Sequence, residues 1–377
     1  MQVNKVQCAT KSKKEIIHEP PFMGSALSMK RFSLFAKLVF IIGCYSLTDS
    51  YSTTLTGHDN GVNVGDYTIT PTYTDTLPTA LLKCFESHGW RRPVGVHIKN
   101  NSNKEVVFTV SVSIQDYTSS ASSATKSIAA GDTGTLSPTL FIDPVKLATL
   151  SSLTQSNYQV SVSTSNGEHH NSIYKDSHLV QLMAADVLPW NYKGHDMSGF
   201  AALWVTPTAP AIETFLATAK KYSIRKSFVG YEWGKEVVPQ QVKAIFKALK
   251  KRGMTYVNGD LSFPVGSQRI RLPSDALREA SANCIDGSIL MASALEAIDI
   301  EPLLVLIPGH CFLGWKVMPG SKECEFLETT MIGTNSFEDA CRFGYQEYIN
   351  SAKYIKAGRV KLIDTKLLHT GGFVPFR

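Results

Sequence analysis

The hydrophobic pattern changes period partway along the chain, and this limits the possible folds more than any other feature. Val94, Val96 and Ile98 alternate, residues 100–104 turn, and Val106, Phe108, Val110, Val112 and Ile114 alternate again on one face. Runs at 125–128, 136–142 and 158–162 follow, separated by Gly, Asn and Ser clusters. Period two puts one side of each strand into a core, so short strands at this spacing predict a β-sandwich over 81–187. From residue 211 the period becomes helical. Ile212, Phe215, Leu216 and Ala219 share a face of a helix over 211–222, and Val242, Ile245, Phe246 and Leu249 share a face of one over 239–253. Pro239 suits a first helical turn, and Lys243, Lys247, Lys250 and Lys251 lie largely opposite the apolar face, as solvated surface. The change of period sets a domain boundary between Leu188 and Pro207, and 377 residues leave room for two domains.

The second domain, 200–377, carries the residues with chemistry. Ser274 is read as a helix cap, and Ile285, Ile289, Leu290, Leu295 and Ile298 mark a buried helix with Cys284 at its start. Helix-start amides and the macrodipole favour negative charge there, although Asp286 in the same turn opposes it. The apolar run 303–307 reads as a buried strand, Pro308-Gly309 interrupts it, and His310 opens a second strand. Pro319-Gly320 fits the centre of a type II turn, and 323–329 returns. That hairpin places Glu328 as a direct or near-diagonal neighbour of His310. Nucleophilic catalysis by a thiol needs a base beside it and a third group to orient the base. Gln268, Asn283 and the Cys284 backbone N–H are candidate oxyanion donors. Trp233, Tyr256 and Trp315 could line a cleft, though aromatics so placed more often form core. Ser336 with Asp339 reads as a capping box for a helix to about residue 356, and 360–363 as a final strand.

At Cys284, His310 and Glu328 the chain resembles the transglutaminase-like branch of the papain-type fold. That core places a Cys at a helix start, a His on a following strand and an Asp on the next antiparallel strand. The resemblance implies an α+β domain with Cys284 as nucleophile, His310 as general base and acid, and Glu328 as the orienting carboxylate. Glu in place of Asp is a departure that lengthens the third side chain by one methylene. The implied activity is a cysteine hydrolase acting on peptide or protein amide bonds through a thioester. Transfer to an amine by the same mechanism, and a catalytically silent surface scaffold, are the rivals. No cofactor is expected, and a metal site through Cys284 and His310 lacks further ligands. The 81–187 segment resembles an immunoglobulin-like module without the inter-sheet cysteine pair of antibody domains.

Residues 1–44 read as an extension followed by an export signal. Lys30-Arg31 precede an apolar run broken by Lys37, and Ile41-Ile42-Gly43-Cys44 resembles a bacterial lipobox. This implies a cell-envelope protein, lipid-anchored through Cys44 or secreted, with Met29 as the natural start. Residues 45–80, rich in Ser, Thr, Tyr, Asp and Gly, are expected to be a flexible spacer. His169-His170 has no further ligands nearby in sequence and reads as a solvated loop. Net charge is only +6 and the lysines form no basic stripe with interleaved aromatics, so no nucleic-acid partner is expected. Seven cysteines without a CxxC indicate neither a zinc ribbon nor a dense disulfide framework; Cys311 and Cys324, on the two hairpin strands, are read as neighbours able to bridge or stay free.

Overall fold

A computed structural model describes residues 56–57, 61–82, 92–165, 170–259, 261–355 and 357–376. The expected signal, Cys44 and His169 lie outside the described residues. The chain is a mixed α/β protein with several sheets. In the N-terminal part, β1 (Val62–Val64), β2 (Tyr67–Tyr73), β3 (Thr76–Leu77), β4 (Val94–Asn100), β5 (Val106–Ile114), β6 (Ser122–Ile128), β7 (Thr133–Leu136), β8 (Thr154–Ser165) and β9 (His170–Leu182) form two five-stranded sheets. One runs β2-β4-β7, with β1 and Thr56–Gly57 both on β2; the other runs β3-β9-β8-β5-β6. Phe108, Tyr158, Ile69, Val96, Ile98, Val110 and Val162 fill the core they share, each fully buried.

Two boundaries depart from the sequence reading. The supposed spacer over 45–80 carries β1 to β3, with Ile69, Pro71, Tyr73 and Leu77 inward. Alternation is present there, but Pro71 and Tyr73 carry most of it in β2 and Thr fills the outward positions, so a search for aliphatic residues passes over it. β9 was likewise missed, because its first nine residues are mostly polar and only Val180 and Leu182 near its end are buried. The run 136–142 is a strand only to Leu136; Asp143 then caps a short helix α1 (Pro144–Ala148).

The C-terminal part begins earlier than residue 200. β10 (Val187–Pro189) pairs with a later strand, and Leu188 and Trp190 belong to the second core. Its elements are α2 (Pro210–Ala219), α3 (Val238–Lys251), β11 (Thr255–Tyr256), β12 (Ser267–Arg269), α4 (Pro273–Glu279), β13 (Ser281–Ala282), α5 (Cys284–Glu296), β14 (Pro302–Ile307), β15 (His310–Lys316), β16 (Cys324–Leu327), α6 (Phe337–Ala352), β17 (Lys361–Asp364) and α7 (Thr365–Thr370). The cap of α4 is Leu272, not Ser274: Pro273 takes the first turn, where its missing N–H costs nothing. β16-β15-β14-β17 is an antiparallel sheet with the central pair in register Ile307↔His310 to Pro302↔Trp315. α5 packs on it and is buried from Cys284 to Leu295, as a helix apolar all round must be. Gly344 lets α6 lie against β16, since a Cβ there would stand 2.6 Å from the Leu327 nitrogen. Among the described residues no helix is long and apolar enough to cross a membrane.

Candidate active site

Local sequence sets each side chain of the candidate triad. Asn283 is extended and its Oδ1 accepts from the Asp286 amide at 2.9 Å, which starts α5 at Cys284. Gly309, with φ at +74°, closes the tight link between β14 and β15, so His310 stands at the very start of its strand. The pairing Leu313↔Leu327, continued one residue, sets Glu328 opposite Phe312 and diagonal to His310. The backbone leaves the sheet at Glu328, whose N–H donates to the Ala340 carbonyl of α6 at 2.9 Å.

His310 Nε2 and Glu328 Oε2 are 2.6 Å apart, with the imidazole 27% and the carboxylate 8% exposed. The Cys284 side chain lies close enough to the imidazole to act on its charge. Burial disfavours the imidazolium, but the interactions with Cys284 and Glu328 outweigh it, and the His310 pKa is pushed up to about 10. Burial would raise the Glu328 carboxyl, yet His310 and Thr330 hold it below the usual range. Glu328 Oε1 accepts from the Thr330 amide at 2.9 Å and from its hydroxyl at 2.7 Å. Asp286 is buried, and that burial pushes its carboxyl upward despite the 2.8 Å bond from the Arg271 amide.

The oxyanion candidates separate. Gln268 is committed to backbone: Oε1 accepts from Ser262 N at 3.1 Å and Nε2 donates to Arg269 O at 3.0 Å. Asn283 uses its carboxamide oxygen as the cap and turns Nδ2 toward Gly259. The Cys284 N–H, in the first helical turn, has no intrahelical acceptor and is the donor best suited to an oxyanion. Trp315 is core and fully buried, and Trp233 lies under Arg225 with 5.1 Å between guanidinium and ring. Tyr256 is at the site: burial, then the proximity of Cys284 and Glu328, raise its pKa.

Cys284 is itself only 2% exposed. The stretch made of residues 257–259 and 261–266 reaches from Gly259, against the Asn283 side chain, to Phe263, whose carbonyl accepts from Gly309 N at 3.1 Å. It therefore touches the residue preceding the thiol and the residue preceding the imidazole. Trp190 tethers it through Nε1 to Ser262 Oγ at 3.2 Å and through N to Gly266 O at 3.0 Å.

Sequence reasoning missed Ser288, Thr329 and Thr330. Ser288 Oγ donates to Cys284 O at 2.7 Å and meets Thr329 Oγ1 at 3.0 Å, joining the Cys284 helix to the segment after Glu328. A hydroxyl four residues along a helix from Cys284 was the available signal, because Ser so placed bonds back to the preceding turn. Cys311 and Cys324 are not neighbours. Cys324 pairs with Lys316, five residues from Cys311 along β15, or roughly 16 Å at strand rise. Among the described residues no group of three His, Cys, Asp or Glu could hold a metal ion.

No family model matches this chain, and no curated protein does. A solved structure of a protein from Archaeoglobus fulgidus aligns at 8% identity and a TM-score of 0.20, covering 34% of this chain and 94% of that one, a likeness too slight to carry any argument.

Proposed function

We propose that the chain is a cysteine hydrolase of amide bonds, with Cys284 as nucleophile, His310 as base and acid and Glu328 as orienting carboxylate. The observation that carries this reading is the convergence of thiol, imidazole and buried carboxylate, with His310 and Glu328 2.6 Å apart and Cys284 close enough to act on the imidazole's charge. His310 takes the thiol proton, the sulfur attacks a substrate carbonyl carbon, and the carbonyl electron pair moves to oxygen, stabilised by the Cys284 N–H. Collapse breaks the C–N bond as His310 protonates the departing nitrogen, leaving a thioester. Water attacks that carbonyl while His310 takes its proton, and breaking of the C–S bond returns the thiol and a carboxylic acid.

The finer fold assignment belongs to the same proposal: a transglutaminase-like second domain, supported by a Cys helix packed on an antiparallel sheet with His and Glu at its edge, behind an immunoglobulin-like sandwich. Peptide or protein amides outside the cytoplasm, and an anchor at Cys44, complete it. The near-complete burial of Cys284 favours a second reading, a silent scaffold. Iodoacetamide labelling of Cys284, followed by mass spectrometry, separates them. The enzyme labels rapidly, and His310→Ala abolishes the effect; slow labelling indifferent to His310 supports the scaffold.

A further inference from the structure

We infer that Thr330 is a positioning residue of the candidate triad, acting through Glu328. The inference rests on the catalytic reading above and extends it to a residue that reading does not require. Glu carries one more rotatable bond than Asp, so a glutamate in the third position starts with less orientational order. Here its two oxygens are divided. Oε2 faces His310 Nε2 at 2.6 Å, and Oε1 is held by both the amide and the hydroxyl of Thr330. The hold comes from local geometry. The chain turns out of β16 into a short 3-10 helix, Thr329–Met331, for which the Glu328 side chain is the N-terminal cap. The acid is thus a helix cap on one oxygen and the imidazole's partner on the other. The adjacent Thr329 ties the same short helix to the Cys284 carbonyl, directly at 3.3 Å and through Ser288. One dipeptide therefore sets the acid relative to its base and the base's neighbour relative to the acid.

A valine at 330 keeps the shape and the backbone bond while removing the hydroxyl donor. The test measures the second-order rate of Cys284 alkylation by iodoacetamide from pH 5 to 11, in the full chain, for wild type, Thr330→Val, Thr330→Ser, Thr330→Ala and His310→Ala. Loss of a hydrogen bond to a charged group predicts a rate lower by roughly 10- to 100-fold in Thr330→Val at pH 7. The high-pH limb, where the imidazolium is lost, moves down by about one pH unit, and Thr330→Ser restores both. A merely structural threonine would lower the melting temperature without moving that limb. If the valine variant does not fold, the alanine variant is read in its place. Wild-type rate and limb in the hydroxyl-deficient variant overturn the role of Thr330 while leaving the triad standing, whereas wild-type labelling indifferent to His310→Ala removes the triad and this inference with it.

Discussion

Removing the Glu328 carboxylate exposes the electrostatics of the site most directly. In Glu328→Ala the imidazole loses the partner at 2.6 Å while staying largely buried. The rise of the His310 pKa from 6.5 to about 10 corresponds to ~5 kcal/mol in favour of the imidazolium at ~1.36 kcal/mol per pH unit. Cys284 supplies part of this and the ring is about a quarter open to solvent, so about 2–3 kcal/mol falls to Glu328. His310 should then titrate about two pH units lower in the variant. The sign follows from linkage: a pKa raised on folding adds stability that is fully present below 6.5 and disappears as pH rises through 10. Glu328 works in the opposite sense, its lowered pKa adding stability above 4.5 that is lost as pH falls through the folded value. The gap in unfolding free energy between wild type and variant should be full at pH 5–6, below the unfolded value of 6.5. Above pH 10 it should shrink to the worth of a neutral hydrogen bond, about 1 kcal/mol. Heteronuclear NMR titration of His310 and urea unfolding of the C-terminal part, across pH, measure both. A wild-type His310 titrating near 6.5, or a gap unchanged at pH 11, would refute the reasoning.

Three further outcomes are expected. Ser262→Ala removes the hydroxyl's bonds with Trp190 Nε1 and the Ser267 carbonyl and loosens the segment bridging Asn283 and Gly309; a loss of about 1 kcal/mol or more should speed labelling of Cys284 by a bulky maleimide at least roughly fivefold; an unchanged rate means the segment does not restrict access. Gly344→Ala drives a methyl into the β16 backbone and should cost about 1–3 kcal/mol, read by urea unfolding, because neither helix nor strand can yield locally. Asn283→Ala removes the cap of α5 and should cost about 1 kcal/mol, recovered largely in Asn283→Ser, with circular dichroism following the unfolding.

Much of the second domain was legible because its signals are local. Asn283 before an apolar helical run, Pro308-Gly309 between two apolar runs, Pro319-Gly320 at a turn and Ser336 with Asp339 each specify backbone within four residues. The elements begin at or next to those places. The diagonal relation of His310 to Glu328 followed from hairpin register for the same reason. Where a signal depended on who faces whom, reading failed. Gln268 looked like a free amide but serves Ser262 and Arg269, and Cys311 and Cys324 looked close until pairing to Lys316 drew them apart. β2 and β9 escaped notice because Pro and Tyr shared the inward face of one with a single isoleucine, and polar side chains covered most of the other.

The amino-acid order by itself determines the two hydrophobic periods, the helix start at Cys284 and the hairpin that pairs imidazole with carboxylate, since each is a matter of sterics and hydrogen bonding among near neighbours. Only tertiary packing brings the thiol to that pair and sets residues 257–259 and 261–266 against Asn283 and Gly309. Such contacts join residues far apart in the chain, 45 positions in the bond from Thr329 to the Cys284 carbonyl. Their free energy comes from burying α5 against the sheet, a quantity belonging to the whole core and to no single stretch of chain.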